Sequence, residues 1–280
     1  MKKILYIVAS TFILWGCSSA PSVETDSIKV IESPNGKLKM TFLLTSDGRP
    51  QYLLDYENKP VILQSNLGFE LRGVLKSQKI NYHNDGTITK SDREPCNSLY
   101  DGFSIESVDT ISVDETWKPV WGEEEIIRNN YNELLVNMVQ FSTGRKMAIR
   151  FRIFNDGLGF RYEFPYQKDL SYFVIKEEIT EFSLTGDHTA WWIPGDYDTQ
   201  EYNYTESRLS EINSKFREAV WGNDSQTPFS INGVQTSLQM KTDEGLYINI
   251  HEAALIDYPC MHLDLDPKTF TFVAHLTPDA

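Results

Sequence analysis

Apolar and polar residues alternate along segment after segment of this chain, and that period of two decides what it can fold into. From Lys37 to Thr45, Leu38, Met40, Phe42 and Leu44 share one face, and the run ends in the turn signal Ser46-Asp47-Gly48. Asn132–Phe141 and Arg145–Asn155 read as the clearest hairpin. In its second arm Met147, Ile149, Phe151 and Ile153 alternate with Ala148, Arg150, Arg152 and Phe154, and Asn155-Asp156-Gly157 supplies the next turn. Further strands are expected at Gln51–Tyr56, Val61–Leu63, Gly68–Leu75, Ile105–Val113, Gly159–Phe164, Tyr172–Glu178, Val234–Met240, Leu246–His251 and Phe270–Leu276. Asn81–Ser98 is polar, carries Asp85-Gly86 and Pro95, and reads as a long excursion. Only Thr205–Ala219 reads as a helix, on the spacing of Leu209, Ile212 and Phe216. Roughly fifteen strands against one helix, with short turns and no helical crossovers, predict an all-β fold of stacked antiparallel sheets, most simply one large sandwich.

The first residues are read apart from the fold. Met1-Lys2-Lys3 is a basic start, Ile4–Trp15 is an apolar run too short to span a bilayer, and Gly16-Cys17-Ser18-Ser19 follows. This is the pattern of a secretion signal, and Cys17 after Leu14-Trp15-Gly16 resembles a lipobox whose cysteine is lipidated, with plain cleavage as the alternative. The expectation is a leader over 1–17, a polar tether over 18–30 and a folded domain over 31–280, held as a periplasmic, outer-membrane lipoprotein. The formal net charge of −14 grows more negative once Lys2 and Lys3 leave with the leader. Such a surface repels phosphate backbones, which excludes nucleic acid as a partner class. Cys96 and Cys260 either pair in an oxidising compartment or stand as two separate thiols; neither has the spacing of a metal or redox motif.

The densest chemistry lies in Trp191–Tyr204, where two Trp, three Tyr, two Asp and one Glu fall within fourteen residues around the turn pair Pro194-Gly195. Aromatic faces suit the C–H faces of a pyranose, and carboxylates suit its hydroxyls or a hard cation. The bland alternative is a half-buried strand followed by a solvated acidic loop. Glycoside cleavage needs two carboxyl groups across the scissile bond, and among the acids Asp196, Asp198 and Glu201, Glu123 to Glu125 in the Trp-rich loop, and Glu252 are the ones to weigh. Glu124 and Glu125 read as a solvated charge run. His251-Glu252 lacks the second histidine of a helical zinc motif. No Gly-rich phosphate loop, nucleophile elbow or Cys/His cluster is present, so no self-sufficient active site is expected.

Six segments carry a family resemblance. Trp117-Lys118-Pro119-Val120-Trp121-Gly122-Glu123, Tyr131-Asn132-Glu133-Leu134, Phe154-Asn155-Asp156-Gly157-Leu158-Gly159-Phe160-Arg161-Tyr162, Trp192-Ile193-Pro194-Gly195-Asp196-Tyr197, Gln200-Glu201-Tyr202 and His251-Glu252-Ala253-Ala254-Leu255 follow one another in order. From about Ile31 to Ala280 the chain resembles the N-terminal domain of glycoside hydrolase family 97, most closely the periplasmic starch-utilisation α-glucosidases of that family. The resemblance implies a β-super-sandwich similar to galactose mutarotase, followed in the family by a (β/α)8 barrel that carries the catalytic acids and by a small β-domain. It implies that Glu201 is the one glutamate the sandwich lends to a calcium ion beside the sugar, the other ligands coming from the barrel. Trp192, Asp196, Tyr197, Tyr202 and Glu252 are then expected to face an α-glucan oligosaccharide, and no residue of this chain is expected to be catalytic. The sequence closes at Thr277-Pro278-Asp279-Ala280, where the family runs on towards the barrel, so a fragment, a truncated product or one piece of a split gene, inactive alone, is the expectation. Two other readings stand beside it: a free-standing carbohydrate-binding lipoprotein, and a lipid-anchored interaction module that exposes an apolar patch. In every case the membrane is met only through the anchor.

Overall fold

A computed structural model describes residues 27–72, 78–82, 88–92, 97–223 and 226–278. The leader, Cys17, most of the expected tether and Cys96 lie outside the described residues. The strands run β1 (Ile28–Glu32), β2 (Leu38–Leu44), β3 (Pro50–Tyr56), β4 (Lys59–Asn66), β5 (Phe69–Leu71), β6 (Gln78–Tyr82), β7 (Ile88–Asp92), β8 (Ser98–Leu99), β9 (Phe103–Trp117), β10 (Ile127–Gln140), β11 (Lys146–Ile153) and β12 (Leu158–Glu163). They continue as β13 (Ile175–Glu178), β14 (Glu181–Ser183), β15 (Thr189–Trp192) and β16 (Thr205–Arg208), then helix α1 (Ile212–Ala219), then β17 (Gly233–Gln235), β18 (Leu238–Lys241), β19 (Tyr247–Ile250), β20 (Met261–Asp266) and β21 (Thr271–Leu276).

All strand pairs between these elements are antiparallel. Two meanders, β1-β2-β3-β4 and β12-β11-β10-β9, stack through their apolar faces. Phe42 meets Phe151 with ring centroids 5.9 Å apart, and Tyr52 meets Phe160 at 5.3 Å. The alternating sets read from the sequence supply this core: Met40, Phe42, Leu134, Val136, Met138, Ile149, Phe151 and Ile153 are all buried. The second half adds the sheets β14-β21-β20-β17 and β16-β15-β18-β19. Their inner faces, with Ala190, Trp192, Leu238, Met240, Leu263 and Phe272, belong to the same contiguous core, against which α1 packs Ile212 and Phe216. The expected all-β sandwich is the fold observed.

Several expectations are corrected. Thr205–Ala219 is not one helix: Thr205–Arg208 pairs with β15, from Trp192↔Thr205 to Thr189↔Arg208, and only Ile212–Ala219 is α-helical. Cross-strand pairing outweighs local helical spacing there. Val234–Met240 is two strands in different sheets, and Asn81–Ser98 holds parts of the paired hairpin β6-β7 rather than an open excursion. Strand β1 starts at Ile28, inside the stretch expected as tether, and β14 and β20 were not anticipated.

Candidate functional site

Strand β15 points Ala190 and Trp192 inward and then leaves its sheet at Ile193-Pro194-Gly195. Gly195 and Gly233 form a slot for one ring. A Cβ on Gly195 would lie 2.3 Å from Phe229 Cε1, and one on Gly233 would lie 2.5 Å from Phe229 Cζ. Phe229 in turn stacks on His275 with centroids 4.1 Å apart at 10°, and on Tyr197 at 6.0 Å. The Tyr197 hydroxyl is 2.6 Å from His275 Nε2. Gly195→Ala is therefore expected to displace Phe229 and loosen the loop that follows, at a cost of about 1–3 kcal/mol; urea unfolding would measure it, with Gly233→Ala as the matched case.

Asp196 fixes that loop. It is 2% exposed. Its Oδ1 accepts from the Asp198 backbone N–H at 2.9 Å, the Thr199 N–H at 3.3 Å and the Thr227 hydroxyl at 2.9 Å. Its Oδ2 accepts from the Tyr202 hydroxyl and the Thr227 N–H, both at 2.8 Å. Burial drives the carboxyl pKa upward, but these donors outweigh it and hold it below the ordinary value. His262 Nε2 lies 2.9 Å from the Asp196 carbonyl, which can only accept, so Nε2 carries the proton. Burial keeps His262 and His275 below the usual histidine pKa.

With Asp196, Tyr197 and Tyr202 tied down, the loop turns Asp198, Gln200 and Glu201 out to solvent. The Glu201 backbone is held by its N–H to Thr199 Oγ1 at 3.1 Å and by its carbonyl, which accepts from Asn223 Nδ2 at 3.5 Å. Among the described residues no hydrogen bond or ion pair holds the Glu201 carboxylate, and no three His, Cys, Asp or Glu side chains converge as a metal cluster. Calcium takes about six to eight oxygens, and the exposed Glu201 carboxylate, a hard donor, could supply at most two of them.

Beside the loop lies a cavity of about 670 Å³, walled by residues 196–200, by residues 257–260, and by Gln235, His262, Thr277 and Pro278. Gln235 is 2% exposed, and its buried Oε1 has no hydrogen-bond partner among the described residues. The far wall is anchored by Tyr258, whose hydroxyl donates to Glu178 Oε2 at 2.6 Å, while Thr180 Oγ1 donates to Glu178 Oε1 at 2.6 Å. Burial raises the Glu178 pKa.

The sequence-predicted site residues thus divide. Glu201 is exposed as expected, and Asp196 and Tyr197 line the cavity. Trp192 is a correction: it has no exposed surface, and its Nε1–H donates to Ser207 Oγ at 2.9 Å inside the core, so it presents no face to a sugar. The Tyr202 hydroxyl is committed to Asp196, and the Asp196 carboxylate to five donors, so both shape the loop instead of meeting ligand. Glu252 Oε2 accepts from the Met261 N–H at 3.0 Å and closes the turn before β20, outside the cavity wall. Thr227, Phe229, Gln235, His262 and His275 were missed. Their only early signal was the parity of His262 and Asp264 opposite His275, which has meaning once β20 and β21 are known to pair.

The fold is a β-sandwich with a rim loop held by buried hydrogen bonds and an exposed carboxylate at its end. The profile of the Glycosyl-hydrolase 97 N-terminal family matches residues 31–278, and the chain belongs to that family. A glycoside hydrolase family 97 enzyme from Pseudoalteromonas sp. strain K8, solved in complex with acarbose, is 30% identical with a TM-score of 0.67 over 89% of this chain. A variant of that enzyme solved with panose matches equally. A β-arabinopyranosidase at 16% identity and TM-score 0.65 shares the fold. This chain spans 32% of the length of the Pseudoalteromonas enzyme and 35% of the arabinopyranosidase.

Proposed function

We propose that this chain is the sugar-facing N-terminal domain of a family 97 α-glucosidase, capping a catalytic barrel and lending Glu201 to a calcium ion beside an α-glucan. The observation that carries it is the Glu201 carboxylate, exposed and unclaimed at the end of a loop that Asp196 locks in place. Acarbose and panose in the Pseudoalteromonas enzyme support an α-glucan over other glycans. The basic start, the apolar run and Cys17 support export and lipid anchoring at the periplasmic face of the outer membrane.

Calcium titration of the chain together with a family 97 catalytic domain tests this reading. Glu201→Gln is expected to weaken calcium binding by at least about tenfold, with unchanged circular dichroism because the loop's bonds do not use that carboxylate. Equal affinity in wild type and variant would sink the proposal. A second reading, a carbohydrate-binding lipoprotein acting alone, is favoured by the cavity beside the rim loop, whose wall includes Tyr197, Asp198 and Gln200. Calorimetry with maltoheptaose on the isolated chain separates the two.

A further inference from the structure

Strands β9 and β10 continue past the edge of their sheet. Strand β11 pairs with β10 only from Asn132 to Val139, whereas β9 and β10 go on pairing from Tyr131↔Val113 out to Ile127↔Trp117. The result is an arm that, among the described residues, is two-stranded. Such a ribbon is marginal by itself, and this one is braced by side chains across its two strands. Arg128 reaches Asp114 through two bonds of 2.7 Å, and Asn129 donates to Glu115 at 2.8 Å.

Among the described residues the end of the arm carries large exposed apolar side chains: Trp121 is 88% exposed, Val120 100%, and Trp117 and Ile126 just over half. Large apolar side chains exposed together within one strand connection mark an interaction surface. Three acids, Glu123, Glu124 and Glu125, rim it, and only Glu125 is paired among the described residues, with Lys118 at 2.9 Å.

The charge decides what fits. A second copy would set acid against acid in a symmetric contact, on a chain whose net charge is already −14. An anionic lipid surface is repelled for the same reason. In the Pseudoalteromonas enzyme the matched part is 32% of the chain, so about two thirds of that enzyme lies outside it. We propose that the arm tip is the element by which this domain grips its catalytic domain, with Trp117, Val120 and Trp121 entering an apolar groove bordered by basic residues. This rests on the family 97 reading above, and it names a surface separate from the Glu201 loop.

The test immobilises the 280-residue chain and titrates it with a family 97 catalytic domain made as a separate polypeptide, that enzyme's own N-terminal sandwich serving as positive control. Wild type is expected to bind, and the double variant Trp117→Ser/Trp121→Ser to bind at least about tenfold more weakly, with circular dichroism and melting unchanged. In the presence of a chelator the wild-type chain is expected to bind within about twofold of its affinity with calcium, so failure of the calcium reading would leave the arm standing. The proposal is overturned if the double variant binds as wild type does, or if the chain fails to bind where the control sandwich binds. It is equally overturned if size exclusion shows a dimer that the double variant abolishes, or if maltoheptaose shields Trp121 from oxidation.

Discussion

Trp192→Ala is expected to lower the free energy of unfolding by about 3–5 kcal/mol, the range for emptying a fully buried tryptophan site. Trp192 is among the largest side chains with no solvent exposure and packs within the contiguous core alongside Ala190, Leu238 and Met240. Its loss also removes the donor that reaches Ser207 Oγ, although Ser207 keeps its own bond to the Arg208 carbonyl at 2.8 Å. Trp192→Phe retains most of the buried apolar surface, so it is expected to cost about half as much. Urea unfolding monitored by circular dichroism gives both numbers. A stable Trp192→Ala chain with weakened sugar affinity would show instead that the indole meets ligand.

The error over Trp192 shows how far sequence patterning reaches. Alternation assigns neighbours to opposite faces, but Trp191 and Trp192 are both aromatic, so composition cannot say which is inward. The buried parity of Ala190 with Trp192 settles it, and that parity follows from the pairing of β15 with β16 and β18. Where one strand face is uniformly apolar, as with Met147, Ile149, Phe151 and Ile153, the pattern alone gave strand, hairpin and core. Thr205–Arg208 went to a helix in the sequence reading because its strand partner lies upstream across the whole rim loop. The exposed Glu201 was legible, since it sits in a polar loop after a Pro-Gly bend. The machinery that aims it was not: Thr227 and Phe229 meet Asp196 and Gly195 from about thirty residues away, through contacts that no local period encodes.

Asp196→Ala is expected to cost about 3–4 kcal/mol, because hydrogen bonds to a buried carboxylate are worth more than neutral ones and its loss strands several donors at once. The hydroxyl of Tyr202 and the N–H groups of Asp198, Thr199 and Thr227 would all lose their acceptor. The loop would then open, and Glu201 would lose its fixed direction with no change to its own side chain. The same bonds set a pH dependence whose sign follows from the pKa shifts. A carboxyl held below its ordinary 3.8 contributes stability that is complete above that pH and is lost as pH falls through its lower folded value. His262 and His275, both depressed from 6.5, act in the same direction at higher pH. They are neutral in the fold, so stability begins to fall as pH drops below 6.5. Glu178, raised from 4.5, has the opposite sign and loses stability as pH rises above that value. Subtracting the Asp196→Ala unfolding profile from that of wild type cancels the Glu178 term to the extent that Glu178, which shares no hydrogen-bond partner with Asp196, keeps its surroundings. The Asp196 part of the difference should shrink as pH falls below 3.8, separate from any change below 6.5 that comes from His262, which touches Asp196. A difference that does not depend on pH would mean that the Asp196 carboxylate is not the ionised acceptor on which the rim loop is built.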